Sequence, residues 1–294
     1  MAEDIIYQCP VCNGTEFSPF LVCKDYTVSR ENFQIQECKA CNFLITSPRP
    51  LLDTLGNYYK SDNYISHSDT QKGLINWVYH RVRKIALKNK LKLVQKYTQT
   101  KGTLLDNGCG TGAFLNACLQ AGWQADGIEP DADARSIAEK QIQKNIFMSL
   151  DELDGKKYDA ITMWHVLEHV PDLNETVEKL RNLLTEKGKL IVAVPNSESD
   201  DALYFKEHWA AYDVPRHLWH FKKKDIESLF KKHGCSVKAI CPMPFDAYYI
   251  SLLSTHYRTG KTQYIKALWR GFISNNKAGK INTSSLIYVI EKNP

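Results

Sequence analysis

The twelve residues from Lys101 to Gly112, Lys-Gly-Thr-Leu-Leu-Asp-Asn-Gly-Cys-Gly-Thr-Gly, constrain this chain more than any others. Thr103, Leu104 and Leu105 form a short apolar run that reads as a buried strand. Asp106 ends it, Gly108, Gly110 and Gly112 follow at alternate positions, and Ala113–Leu119 opens a helix. Strand, glycine turn and helix together let the backbone approach a ligand closely, with helix amides facing it. The turn is one residue tighter than the dinucleotide fingerprint G-x-G-x-x-G, which argues against a pyrophosphate seated on it. A glycine turn alone is a weak signal, so the residues downstream must support it.

Trp123–Glu129 reads as a second strand that ends in an acid, 23 positions after Asp106. An acid at such a strand end can accept both hydroxyls of a ribose. From these residues the chain resembles the class I S-adenosylmethionine-dependent methyltransferases. The resemblance implies that Asp106, Gly108, Gly110 and Gly112 line the methionine moiety and that Glu129 holds the ribose. A Rossmann-like turn for some other nucleotide is the alternative. The implied fold is α/β, a Rossmann-like doubly wound sheet of seven strands, with a small zinc ribbon in front.

That ribbon rests on Cys9-Pro-Val-Cys12 and, after 25 residues, Cys38-Lys-Ala-Cys41. Two C-x-x-C knuckles at this separation supply four thiolates for a tetrahedral, structural Zn2+. So small a module cannot bury enough apolar surface by itself, and a metal staple makes up the deficit. Redox chemistry is the other use of C-x-x-C, but its duplication favours metal. Cys23 lies between the knuckles and is expected to pack. The predicted units are a ribbon over 1–48, a tyrosine-rich segment and basic connector helix over 49–100, and a catalytic domain over 101–294. The tyrosines around Tyr58, Tyr59 and Tyr64 suit a lid over a cofactor or plain packing. The apolar period from Lys72 to Tyr97 predicts the connector helix.

Asn145–Met148 reads as a third strand, Tyr158–Trp164 as a fourth, Lys189–Asn196 as a fifth and Cys235–Ile240 as a sixth, with helices at 132–144, 173–184 and 224–233 between them. Ser284–Ile290 is the last strand, antiparallel by family analogy. By the same resemblance Asp151 flanks the adenine, although it could equally cap a helix. The stretch Trp164-His165-Val166-Leu167-Glu168-His169-Val170 looks like the strand end that faces the transferable methyl in small-molecule O- and C-methyltransferases. It places Trp164 and His165 at the cofactor and leaves His169 as structural.

Two insertions are expected, near 198–222 and 245–283. The first contains Trp209, Asp213 and Pro215-Arg216-His217-Leu218-Trp219-His220-Phe221, too rich in polar and aromatic groups for loop filler. It resembles a segment of the branch containing ubiquinone-type O-methyltransferases and zinc-ribbon sugar methyltransferases. Removing an acceptor proton suits a histidine. His217 is the first candidate for general base, with His220 and His165 next. Arg216 has the shape for bidentate phosphate or carboxylate recognition, and Asp213 and Tyr248 complete the predicted acceptor site.

The net charge is +5, distributed unevenly. Nine Lys or Arg and no acid lie between Asp69 and Asp106, and six more lie between Asp246 and Glu291, again with no acid. Solvated helix faces produce such runs; the sharper reading is an anionic partner, namely a phosphorylated metabolite, RNA or acidic lipid headgroups. Hydrophobic content of 43% and charged content of 24% fit a soluble globular protein, and no run of 18 apolar residues exists. The N-terminus lacks a secretory pattern, and nine cysteines without one point to thiols or metal, hence a cytoplasmic expectation. The expected function is methyl transfer from S-adenosylmethionine to oxygen or carbon of a small anionic metabolite, such as a sugar nucleotide or a lipid or quinone precursor. The alternatives are an RNA methyltransferase, which binds through the ribbon and basic helix, and a non-catalytic cofactor-binding scaffold.

Overall fold

The central apolar runs pair into one six-stranded sheet. The computed structural model describes residues 3–59, 74–98, 101–279 and 281–293. In that sheet β6 (Thr103–Asn107), β7 (Gln124–Ile128), β8 (Tyr158–Trp164), β9 (Leu184–Pro195), β11 (Cys235–Pro242) and β12 (Ser285–Lys292) lie in the order β11-β12-β9-β8-β6-β7. Only β12 runs against its neighbours. Leu104, Leu105, Ile161 and Ile191 are fully buried, as strands covered on both faces require. The third predicted strand shrinks to a single bridge from Phe147 to Ile128, so Asn145–Met148 lies along the sheet edge without extending its ladder.

Helices cover both faces. Val94 of α2 (Leu74–Thr98), Phe114, Leu115 and Cys118 of α3 (Ala113–Gln120) and Ala138 of α4 (Ala132–Ile142) pack on one side. Leu173, Val177 and Leu180 of α5 (Leu173–Leu183) and Ile226, Leu229 and Phe230 of α7 (Lys223–Lys232) pack on the other. Asp131 and Asp172 cap α4 and α5 by accepting the amides of Ala134 and Glu175 at 2.8 and 2.9 Å. Gln143 in left-handed conformation ends α4.

The predicted ribbon is not a separate module. Its strands β2 (Phe17–Lys24), β3 (Asn32–Cys38) and β4 (Leu44–Thr46) gain a fourth from the first insertion, β10 (Trp219–His220), in the order β10-β4-β3-β2. Ile45 pairs with Trp219 and Leu44 with His220. A second small pairing joins β1 (Glu3–Asp4) to β5 (Arg49–Pro50), and the short helix α1 (Leu52–Leu55) follows. Phe43, Ile45, Leu218, Trp219 and Phe221 share one core with α5 and α7, so the expected boundary at residue 48 is crossed by both hydrogen bonds and core.

The helix α6 (Asp200–Phe205) begins the first insertion, and the pair α8 (Asp246–Thr259) and α9 (Tyr264–Lys277) fills the second, between β11 and β12. Among the described residues no helix is long and apolar enough to cross a membrane. The part of the tyrosine-rich segment from 60 to 73, including Tyr64, lies outside the described residues.

Candidate functional site

The glycine turn sits at the carboxyl end of β6, where a doubly wound sheet binds ligands. Gly108, Gly110 and Gly112 all have positive φ, at 77°, 55° and 82°. A Cβ on Gly108 would come within 2.4 Å of the Val166 methyl, whereas one on Gly110 would meet no protein atom within 4 Å. The first glycine is therefore required by packing, and the second faces open space, as a ligand-facing glycine must. The Gly110 amide donates to Glu129 Oε2 at 2.8 Å, and the Asp131 amide donates to Oε1 at 3.0 Å. Burial raises the Glu129 pKa against these two hydrogen bonds. Each carboxylate oxygen retains a second lone pair for an incoming hydroxyl.

Asp106 lies beneath the turn. It is 1% exposed and accepts a hydrogen bond from the Thr162 hydroxyl at 2.7 Å, tying β6 to β8 beneath the turn. Burial pushes its pKa up to about 6, and the charge of Lys90 opposes that. In this arrangement Asp106 supports the turn from below. Lys90, from α2, lies 4.4 Å from the centre of the Trp164 ring, and burial lowers its pKa against the charges of Asp106 and Asp246. Trp164 also packs edge-on against Phe114 at 5.3 Å, and its Nε1 is buried without a partner.

The strand end after Trp164 builds a carboxylate–imidazole–carboxylate line. His165 has φ of 59°; its Nδ1 meets Glu168 Oε1 at 3.2 Å and its Nε2 meets Asp246 Oδ2 at 3.1 Å. Burial disfavours its charge, but hydrogen bonds to Asp246 and Glu168 outweigh it and push the pKa up to about 10. His165 is thus an imidazolium at neutral pH, a charge and hydrogen-bond donor rather than a base. This corrects its expected place among the bases.

The first insertion closes over this line. Glu168, His169 and His217 bring their ligating atoms within 4.8 Å of one another, and Glu168 Oε2 is buried without a hydrogen-bond partner. His217 Nδ1 lies 2.9 Å from the Ala211 carbonyl, which must accept its proton, so in the neutral ring the lone pair is on Nε2. Its ring sits edge-on to His169 at 4.5 Å. Burial and His217 push His169 down to about 4, so it is neutral, and its Nδ1 donates to the Arg216 carbonyl at 3.0 Å. His169 thus bonds backbone, although the carbonyl is that of distant Arg216 and not the local one expected.

Arg216 and His220 do not take the roles expected of them. Arg216 is 1% exposed; its guanidinium donates to Asp213 at 2.6 and 2.9 Å, to Asp25 at 3.1 Å and to the Tyr58 carbonyl at 2.8 Å. The guanidinium fork is filled by the protein's own acids, and Asp213, though partly exposed, is paired to it through both oxygens, so Arg216 is not an open anchor for an acceptor. His220 is 4% exposed within the strand joint. The Thr46 hydroxyl gives its one proton to the His217 carbonyl at 2.8 Å, so His220 Nε2 must donate to Thr46 Oγ1 at 2.9 Å. Burial holds the His220 pKa well below its ordinary value, and its ring is a structural tie. Asp151 is exposed and pairs with Lys179 at 2.5 Å. Tyr248 packs where α8 crosses α9; a Cβ on Gly271 would meet its ring at 2.8 Å.

Glu168 and Lys90 are the site residues that sequence reasoning passed over, and Asp246 was expected only as part of the acceptor-selecting second insertion. Glu168 stands three positions after His165, a spacing that could have marked it. Lys90 and Asp246 reach the site from distant segments.

The four cysteines converge as predicted. Cys9, Cys12, Cys38 and Cys41 place every sulfur within 4.8 Å of the others, with 3.6 Å across both the Cys9–Cys41 and Cys12–Cys38 pairs. Four sulfurs about 2.3 Å from a central zinc would stand about 3.8 Å apart, so the donor set fits. Both knuckles are alike: Asn13 and Asn42, each following its second cysteine, take φ of 64° and 65° and bond back to Cys9 and Cys38. Cys23 is buried in a separate apolar cluster, as expected.

Residues 78–240, just over half of the chain, match the family described as a methyltransferase domain. The chain is 30% identical over 129 residues to ubiquinone biosynthesis O-methyltransferase of Glaesserella parasuis, covering 38% of this chain and 55% of that protein. It is 27% identical over 169 residues to the mitochondrial ubiquinone biosynthesis O-methyltransferase of Rattus norvegicus, covering 50% of this chain and 48% of that one. The chain thus spans about half the length of the curated relatives it matches. Among solved structures, magnesium protoporphyrin IX methyltransferase from Synechocystis with bound SAH shares the fold at a TM-score of 0.53 and 16% identity, over 81% of this chain and 97% of that one.

Proposed function

Because the chain belongs to the methyltransferase domain family, we propose that it transfers a methyl group from S-adenosylmethionine to an oxygen or carbon of a small, anionic metabolite. The observation that carries this reading is the open cradle at Gly110 beside the amide-held carboxylate of Glu129. When bound, S-adenosylmethionine supplies an electrophilic methyl on a sulfonium. Glu129 would accept the ribose hydroxyls, and Gly108, Gly110 and Gly112 would line the methionine portion. The chain's own task is then alignment, since an in-line displacement gains most from fixed geometry.

His165, held between Glu168 and Asp246, uses both ring N–H groups on those carboxylates and so fixes the strand end, leaving the acceptor's departing proton to another group. His217 is the remaining candidate for that proton, because the Ala211 carbonyl fixes its tautomer with Nε2 as acceptor. The ubiquinone-type relatives favour a quinone or lipid precursor as acceptor, and a sugar nucleotide belongs to the same anionic class. The Cys9, Cys12, Cys38 and Cys41 sulfurs would hold one structural zinc and so stiffen the sheet that carries the first insertion.

Incubating the enzyme with methyl-labelled S-adenosylmethionine and a fractionated cell extract tests the reading. Label should enter small acidic metabolites or lipid precursors and disappear with Glu129→Ala. His217→Ala should lower turnover at least about tenfold with cofactor affinity unchanged. Label in RNA, or none despite tight cofactor binding, would overturn the acceptor class or the activity.

A further inference from the structure

The helix α9 is folded with its apolar side outward. A surface helix ordinarily turns its apolar stripe to the core. The residues of α9 that point inward are instead Ala267, Arg270, Gly271 and Ser274. Arg270 pairs with Asp200 through Nη2, its Nε buried without a partner, and Ser274 donates to the buried Asp201 at 3.1 Å, so this inner face is polar. Gly271 lets the helix lie directly on Tyr248 and the Ala247 carbonyl of α8. Tyr264, Ile265, Leu268, Trp269 and Phe272 point outward, with exposures of 60, 87, 57, 63 and 48%. At 100° per residue these five fall within an arc of about 140°. They form one continuous face, on which the Trp269 and Phe272 rings stack at 5.7 Å. Its exposed area is on the order of 600 Å², at the upper end of what single proteins leave open.

We infer that this face of α9 is a docking surface for an anionic lipid bilayer. An in-plane helix needs aromatic and aliphatic side chains that can enter the acyl boundary and cations that meet the headgroups. Both are present: Arg258, Lys261 and Lys266 are exposed at the start of and along this hairpin, and no acid occurs between Asp246 and Glu291. That charge selects the occupant. A second copy of the chain would bring the same basic margin against itself, whereas anionic headgroups neutralise it and the hydrocarbon covers the rings. The surface is also connected to the site, since α8 begins with Asp246, the residue that holds His165.

The test uses the full chain and vesicles of phosphatidylcholine, alone and mixed with phosphatidylglycerol. Co-sedimentation should be seen with the mixed vesicles and should weaken as salt rises. Leu268→Glu/Trp269→Glu and, separately, Lys261→Glu/Lys266→Glu should each lower the apparent affinity at least about tenfold. Unchanged far-ultraviolet circular dichroism would show that the fold is kept, and Ile265→Ser offers a milder change at the most exposed position. Light scattering without vesicles gives the counter-outcome. Self-association that Leu268→Glu/Trp269→Glu abolishes, with no vesicle binding by the wild type, would assign the face to a second copy and overturn the proposal. Absence of vesicle binding alone would overturn it as well, as would binding that neither double substitution changes.

Discussion

Replacing Arg216 by methionine separates a structural guanidinium from an acceptor-binding one. Arg216 donates four hydrogen bonds, three of them to the carboxylates of Asp25 and Asp213. Methionine keeps the length and apolar bulk and leaves both acids without their cation. Removing one partner of a buried ion pair costs about 3–5 kcal/mol. The lower end applies, because Asp25 keeps the amides of Thr27, Val28 and Ser29 and the Ser29 hydroxyl, and Asp213 is partly exposed. A loss of about 3 kcal/mol corresponds to a fall in Tm of roughly 6–12 °C for a domain of this size. Urea unfolding followed by circular dichroism, with a thermal scan, measures it. The cost should also depend on pH. Hydrogen bonds and Arg216 hold both acids below their ordinary pKa although burial opposes this. Their contribution is therefore complete above about pH 4, the unfolded value, and is lost as pH falls through the lower folded values. The stability gap between wild type and Arg216→Met should narrow in acid. A variant with wild-type Tm and a defect confined to KM would refute the argument and return Arg216 to the acceptor site.

Gly110→Ala should raise the S-adenosylmethionine Kd at least tenfold, about 1.4 kcal/mol, in calorimetry. The left-handed φ costs only about 1–2 kcal/mol of stability, because no protein atom opposes the new methyl. A stable Gly110→Ala with unchanged Kd would move the cofactor off the turn. His165 should remain protonated at pH 8 when its ring carbon proton is followed by nuclear magnetic resonance, given a folded pKa near 10. Its stabilisation is then full below about pH 6.5, the unfolded value, and is lost as pH rises through the folded one. Asp246→Asn should lower the titration midpoint; a wild-type midpoint near the free-histidine value would refute the charged line. Elemental analysis should find about one zinc per chain, lost in Cys38→Ser. That substitution should also impair turnover, since the strands of the cysteine module carry the His217 loop; metal-free protein with full stability and turnover would exclude a structural role.

Features encoded by neighbouring residues were legible from the chain alone. Alternate glycines after a buried run specify a turn wherever the run ends, and β6, the turn and α3 appear where they were expected. The paired C-x-x-C knuckles depend on a few residues each, and their sulfurs converge. Glu129 was visible because strand, helix and strand repeat at a fixed interval. The weak edge strand at 145–148 failed because its ladder depends on a single neighbour, which it meets only at Phe147.

What the tertiary structure alone decided were the partners of the charged and polar side chains. A guanidinium followed by a histidine reads equally well as an anion clamp or an internal brace until its acids are located. Arg216 finds Asp25 191 positions away, and His220 finds Thr46 174 positions away. The imidazolium character of His165 likewise depends on Asp246, 81 residues further on. Periodicity and turn chemistry are local and survive in the one-dimensional string. The electrostatic state of a buried group depends on the three-dimensional distances to its neighbours, and folding alone sets those.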